Sequence, residues 1–354
     1  MHILSKLSKE KFKIDLLLIQ NTGIYLHSIP DGIRVAHILE ECDKIPSPDG
    51  LLELFKNYYD MHVKKRYDLE IAFLEGPPVK FLASNISSKT PKIAWLHIDL
   101  SVIHWTQPYF HTLQDELDAF LSFDEVIFVS DSVKKGFEKI FSTLPNKYDV
   151  INNPIPLNLI RGKSNTYKVE CANIAFCIVG SLSRRKGHDR LLCAMERLFR
   201  EGYIFDLYIL GEGTRKKSLL DLSHEMNILE HVHFEGFKVN PYPYIKNCDC
   251  LISASLAEGY PLVVCEALAV GTPIIATQCS GNDDVLGEGR YGLVVENSEQ
   301  GIYEGIKSVL DAPSILADLK SKSQAGCEQL RDHEIIKEIE IVFEELAQLG
   351  GSTR

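Results

Sequence analysis

Two carboxylates are separated by seven intervening residues in the stretch Ser253-Ala-Ser-Leu-Ala-Glu258-Gly259-Tyr260-Pro261-Leu262-Val263-Val-Cys-Glu266-Ala-Leu-Ala-Val-Gly271-Thr-Pro273. The apolar run Cys250–Ser253 reads as a buried strand that ends just before it. Pro261 suits the first turn of a helix, where a missing N–H costs nothing. Gly271 and Pro273 stop that helix. Glu258 is therefore expected just outside a helix N-terminus and Glu266 inside the helix. The N–H groups of Leu262 and Val263, with the helix dipole, make a ready site for a diphosphate. A carboxylate at such a place can stabilise developing positive charge, or bind hydroxyls more tightly in a transition state. An ordinary βα unit accounts for a lone glutamate at such a place, but not for the whole string.

A second constellation is Ile178-Val-Gly180-Ser181-Leu-Ser-Arg184-Arg185-Lys186-Gly187-His188-Asp189, a strand, a short cationic loop and a helix start. A solvated basic loop is the plainer account of it. Gly211 and Gly213, in Leu210-Gly-Glu-Gly, follow another strand; a short Gly-x-Gly is weak evidence by itself. Phe237 lies in Glu235-Gly-Phe-Lys, which also reads as a plain turn. In the first half, Ile93-Ala-Trp95-Leu-His97-Ile-Asp99 is a strand ending in a histidine, with Trp105 and Tyr109 just beyond. A lone histidine after a strand is commonly structural, and the two aromatics fit a core as well as a ligand-stacking surface. No Asp-x-Asp occurs in the chain, so metal independence is expected and no metal ligands are assigned.

The elements that must position these residues alternate along the whole chain. Strand-like runs at 14–19, 69–73, 92–96, 125–129, 174–179, 206–210, 232–235, 250–253, 273–277 and 292–295 are separated by amphipathic stretches such as 189–200, 214–226 and 262–269. Runs apolar almost throughout suit strands buried on both faces, so parallel sheets covered by helices are expected. The breaker cluster Asn152-Asn-Pro154-Ile-Pro156 and the polar stretch 161–170 mark a domain boundary. The chain divides into residues 1–157, residues 158–332 and a last helix, 333–354, expected to return to the first domain. With 354 residues there is length for two domains and two cores. Two Rossmann-like, doubly wound α/β domains would bind a ligand in a central cleft, at the carboxyl ends of their strands.

Composition excludes several classes. Apolar residues make up 45% and charged residues 25%, which fits a folded globular chain rather than a disordered one. The formal charge of −11 argues against a nucleic-acid partner. Lys6, Lys9, Lys11 and Lys13, and again Lys64, Lys65 and Arg66, form basic clusters. They read as solvated helix faces, or as weak attraction to an anionic membrane surface. Nine scattered cysteines, several inside apolar runs, suit buried thiols in a reducing compartment. With no apolar run of spanning length, a cytoplasmic protein, peripheral at most to the inner membrane face, is expected.

The carboxylate string, the cationic loop and the two glycine loops together resemble retaining glycosyltransferases of the GT-B fold, family 4. The resemblance covers most of the chain and is densest over 174–297. It implies that Glu258 sits by the donor sugar and Glu266 takes the ribose hydroxyls of a UDP- or GDP-sugar, with no separate cofactor. It implies that Lys186 and a nearby arginine, Arg185 or Arg184, neutralise the leaving diphosphate. Two cations there do the work a metal does elsewhere. The family arginine usually follows the first glycine, where this chain has Ser181. The loops of Gly180, Ser181, Gly211, Gly213 and Phe237 are implied to approach the nucleotide, with Gly259, Tyr260, Pro261, Leu262 and Val263 lining the diphosphate. His97 is implied to face the donor sugar. The partners implied are a nucleotide-sugar donor and a glycan or lipid-linked glycan acceptor of surface polysaccharide or lipopolysaccharide.

The sequence departs from that family in one respect. Family members open with a strand, a Gly-Gly-x-Glu-Arg loop and a long helix. Here residues 1–11 read as the tail of that helix and 14–19 as the second strand. In the strand order 3-2-1-4-5 the first strand is central. Without it, either the chain starts late or the sheet closes up in an unusual way. A non-catalytic protein that only binds nucleotide sugar is therefore the alternative to a transferase, and a nucleotide-sugar epimerase is a third.

Overall fold

The computed structural model describes residues 1–63, 67–85 and 89–351. The basic cluster at Lys64, Lys65 and Arg66 lies outside the described residues. The chain forms two compact units, one of Met1–Pro154 with His333–Arg354, the other of Ile155–Asp332.

The second unit is built on six parallel strands: β7 (Ala175–Val179), β8 (Asp206–Leu210), β9 (Val232–Gly236), β10 (Cys250–Ser253), β11 (Ile274–Thr277) and β12 (Leu293–Val295). They lie in the order β12-β11-β10-β7-β8-β9. Counted within the unit this is the 3-2-1-4-5-6 order of a doubly wound sheet, with the order reversing between β7 and β10. The central strands are buried on both faces, as their apolar runs require. One face packs on helix His188–Arg200 through Leu191, Leu192, Met195 and Leu198. The other packs on helix Leu262–Val270 through Val264, Ala267 and Leu268. The stretch at 161–170, read as a polar boundary, begins inside a helix, Leu157–Lys163, whose Ile160 is fully buried.

The first unit carries its strands in two sheets. The strands β3 (Glu70–Ala72), β4 (Lys92–Leu96), β5 (Glu125–Phe128) and β6 (Tyr148–Val150) form a parallel four-stranded sheet in that order. The strands β1 (Asp15–Gln20) and β2 (Arg34–Leu39) form a separate parallel pair. Among the described residues no ladder joins β1 to β3, so the sheet does not close up. The pair rests on helix Pro48–His62 through Ile19, Ile38 and Leu39, around Leu51, Phe55 and Phe81. The last helix, Asp332–Gly351, belongs to this unit. Its Phe343 meets the edges of Trp95 and Phe12, and its Glu340 accepts the Ser8 N–H. At the other end of the chain the helix expected over 1–11 is only His2–Lys6. Lys11 is paired with Glu344, which leaves that lysine less available to an external anion. No described helix is long and apolar enough to cross a membrane.

Candidate active site

The reversal of strand order places the loops after β7 and β10 side by side at the carboxyl edge of the second sheet. The β7–β10 pairing stops at Cys177↔Leu251, before either strand ends. The reversal between these two strands is where doubly wound sheets bind ligands. The loop after β7 carries Gly180–Lys186, and the loop after β10 carries Ala254–Glu258.

These two loops meet through an ion triad centred on a buried carboxylate. Glu258, 5% exposed, takes Lys186 Nζ on Oε1 at 2.5 Å and the Arg185 guanidinium on Oε2 at 2.7 Å. Ser255 Oγ donates to Oε1 at 2.7 Å. Burial works to raise the Glu258 carboxyl, but the Lys186 and Arg185 charges and these hydrogen bonds outweigh it and hold the group below its ordinary range. Of the neighbouring arginines, Arg185 makes this contact while Arg184 is exposed. Ser181 is exposed with its hydroxyl on Ser183.

Behind Glu258 the chain turns into helix Leu262–Val270, with Pro261 as its N-cap residue rather than in its first turn. The backbone N–H groups of Leu262 and Val263 are first-turn donors, which a helix cannot satisfy from within. Gly271 closes the helix in the left-handed region, at φ 72°. Inside the helix, burial pushes the Glu266 carboxyl up to about 7 against a hydrogen bond from Tyr242. Tyr260 is largely buried beside the Cys265 thiol, and its hydroxyl is pushed far above the ordinary range by that burial. Gly281 lets the start of helix Ser280–Leu286 close onto Gly259 and the Glu258 carbonyl; a Cβ there would stand 2.8 Å from that oxygen.

The glycines Gly180, Gly211 and Gly213 have a packing reason for their presence. A methyl group on Gly211, whose φ is +149°, would overlap the Gly180 carbonyl oxygen. One on Gly213 would press into the Leu182 backbone at 2.5 Å. The loops after β7 and β8 are thus packed backbone to backbone, and Gly180 lies under the Lys186 side chain. Phe237, just past β9, keeps 42% of its surface exposed, and Val239 beside it 81%.

In the first unit, His97 follows β4 directly. Phe73 and Trp95 flank its ring, with centroids 4.7 and 6.1 Å away. Burial pushes its imidazole down to about 4, so the ring is neutral near pH 7. The residue that fixes this loop is Glu75, 2% exposed, which was not singled out in the sequence. Its carboxylate accepts the His97 N–H at 2.8 Å and the Trp105 indole N–H at 3.1 Å. Trp105 lies edge-on to Tyr109 and is tied to Glu75, so its indole N–H already has a partner within the unit. Asp99 is buried against helix Asp131–Phe141, where a Cβ on Gly136 would overlap its carboxylate. The run Leu-Glu75-Gly76-Pro, directly after a strand and with Gly76 at φ +82°, is the signal that would have found Glu75.

Residues 169–325 match the family model of the group 1 glycosyl transferases. The chain is 27% identical over 325 residues to an N-acetylgalactosamine-N,N'-diacetylbacillosaminyl-diphospho-undecaprenol 4-alpha-N-acetylgalactosaminyltransferase of Campylobacter jejuni, covering 89% of this chain and 86% of that one. It is 26% identical over 145 residues to the lipopolysaccharide core biosynthesis glycosyltransferase LpsE of Rhizobium meliloti, 41% of this chain and 42% of that one. In fold it is similar to Anabaena HepE, solved with UDP-glucose, at a TM-score of 0.77 and 18% identity over 97% of this chain and 94% of that one. The two parallel α/β units are those of a GT-B protein, and the domain match with these relatives supports a group 1 glycosyltransferase.

Proposed function

We propose that this protein is a retaining, metal-independent glycosyltransferase. It moves a sugar from a UDP- or GDP-sugar to a glycan or lipid-linked glycan acceptor in surface-polysaccharide assembly, at the cytoplasmic face of the membrane. The observation that carries the reading is the ion triad of Glu258, Arg185 and Lys186 at the switch point, in front of the helix Leu262–Val270. A leaving diphosphate needs fixed positive charge, which Lys186, Arg185 and the helix N-terminus supply. The departing bond leaves an electron-poor sugar, which needs a carboxylate kept ionised beside it. Glu258 is such a carboxylate. Glu266 is suited to accept from paired ribose hydroxyls. The acceptor attacks on the face that the diphosphate leaves, and a diphosphate oxygen takes its proton. His97, neutral and held by its backbone to Glu75, serves the sugar as a hydrogen-bond partner. The names of the relatives favour this class of acceptor, and HepE's UDP-glucose favours uridine. Weak attraction to an anionic bilayer is part of the proposal.

The test is turnover of a panel of UDP- and GDP-sugars with lipid-linked and free glycan acceptors, the product anomer being read by NMR. Transfer with retained configuration, unaffected by chelator and reduced at least about 100-fold by Glu258→Ala, is expected. Full activity of Glu258→Ala would sink the site assignment. Nucleotide binding without any transfer would favour the non-catalytic alternative.

A further inference from the structure

The segment Ala254–Glu258 has no regular secondary structure, yet its backbone is held at every step. Arg190 donates to the Ala254 carbonyl at 2.5 Å, and Thr277 Oγ1 to the Ser255 carbonyl at 2.6 Å. Asn297 Nδ2 donates to Leu256 O at 3.2 Å, and Arg185 to Ala257 O at 3.1 Å. Ser280 Oγ and the Gly281 N–H both take the Glu258 carbonyl, each at 3.1 Å. Five successive carbonyls are thus held by donors from five other segments. Arg185 has a direct part in the triad. Arg190 and Asn297 do not reach it; instead they grip one another, since the second Arg190 nitrogen donates to Asn297 Oδ1 at 2.8 Å and to its carbonyl at 3.1 Å. Together they tie the start of helix His188–Arg200, the turn after β12 and the carboxylate loop into one block.

We propose that Arg190 and Asn297 are positioning residues that fix the loop carrying Glu258. The proposal rests on the proposed transferase reading for its kinetic consequence, but not for its structural one. Arg190 is not needed to dock its own helix, which is held by Leu191, Leu192, Ala194, Met195 and Leu198. Both residues hold Ala254, Leu256 and one another rather than the start of helix Leu262–Val270. Loss of the clamp lets Glu258 drift from Lys186 and Arg185 while the nucleotide-binding surface stays. A displacement of about 1 Å at such a group is enough to cost on the order of 100-fold in rate.

The experiment compares the full chain with Arg190→Ala, Arg190→Lys and Asn297→Ala. It reads kcat, donor KM, the Kd of UDP, and the Glu258 carboxyl titration by carbon-13 NMR. For Arg190→Ala, kcat is expected to fall about 10- to 100-fold with KM and the UDP Kd within about threefold, and the Glu258 titration moves to higher pH. Arg190→Lys, which can still reach one carbonyl, recovers part of both; Asn297→Ala shows a smaller change of the same kind. Unchanged kcat and titration in folded Arg190→Ala overturn the proposal. So does UDP affinity lost in step with kcat, which marks general collapse. If Arg190→Ala does not fold, the same criteria applied to Asn297→Ala decide. If the wild-type protein turns over no donor, the transferase reading fails and the Glu258 titration alone decides for or against the clamp.

Discussion

Glu266 offers a prediction that needs no knowledge of the donor. Its carboxyl is pushed from an ordinary value of 4.5 up to about 7 by burial, with only the Tyr242 hydrogen bond opposing. A carboxyl whose pKa is raised by folding binds more protons in the folded chain than in the unfolded one. Its stabilising contribution is therefore full below pH 4.5 and is lost as pH rises through 7. At about 1.4 kcal/mol for each tenfold change in proton affinity, ionising Glu266 costs the fold about 3 kcal/mol at pH 8 and about 1 kcal/mol at pH 5, as upper bounds. Glu266→Gln preserves the shape and removes the charge. The variant should gain about 2 kcal/mol over wild type between pH 5 and pH 8. The assay is urea unfolding of both proteins at pH 5, 6, 7 and 8, followed by circular dichroism. A stability difference that stays flat across that range would falsify the assignment of a buried, proton-binding carboxyl. The same group predicts linked ligand behaviour. If ribose hydroxyls donate to the ionised carboxylate, nucleotide affinity falls about tenfold for each pH step below about pH 6, and Glu266→Gln abolishes that slope.

Two further substitutions probe the scaffold of the site. Gly211→Ala places a methyl group on the Gly180 carbonyl at a backbone angle that disfavours side chains; a loss of roughly 2–4 kcal/mol is expected in urea unfolding, and wild-type stability would refute the close approach of the two loops. Glu75→Gln turns an amide N–H2 toward one of the two donors that the carboxylate now accepts, the His97 N–H or the Trp105 indole. A loss of about 1–3 kcal/mol and altered Trp105 fluorescence are expected, and neither would be seen if Glu75 did not hold that loop.

The alternation of apolar runs made the second unit legible: its six strands are present with ends shifted by a residue or so. Two strands of the first unit were not. In β2, Arg34 and His37 interrupt the apolar pattern, and β6 is a three-residue edge strand, Tyr-Asp-Val, with two exposed positions. Helix Leu157–Lys163 was hidden by the Asn-Asn-Pro-Ile-Pro cluster before it, whose punctuation is local while the burial of Ile160 is tertiary. In the site, the Glu258 and Lys186 loops were visible because their spacing is chemical. Their mutual pairing was not, because β7 and β10 must be neighbours in space to bring together two residues 72 positions apart. Arg190 was hidden for a simpler reason. On a helix, a charge among polar neighbours looks like solvated surface until the carbonyls it holds are known.

The separate β1–β2 pair has a consequence for how the molecule breathes. Two hydrogen-bonded strands are marginal by themselves, and this pair leans on one helix face, with Leu17 and Val35 more than a third exposed. The β3–β6 sheet has almost every residue of β4 and β5 buried, and among the described residues no backbone ladder carries cooperativity from one sheet to the other. The first unit therefore contains two energetic subunits with different free energies of opening. Amide protons of residues 16–20 exchange through a shallow local event, while those of 93–96 wait for a much deeper one. Each time the pair opens, the strands of residues 15–39 are briefly presented to solvent, and faster amide exchange at 16–20 than at 93–96 is the outcome expected.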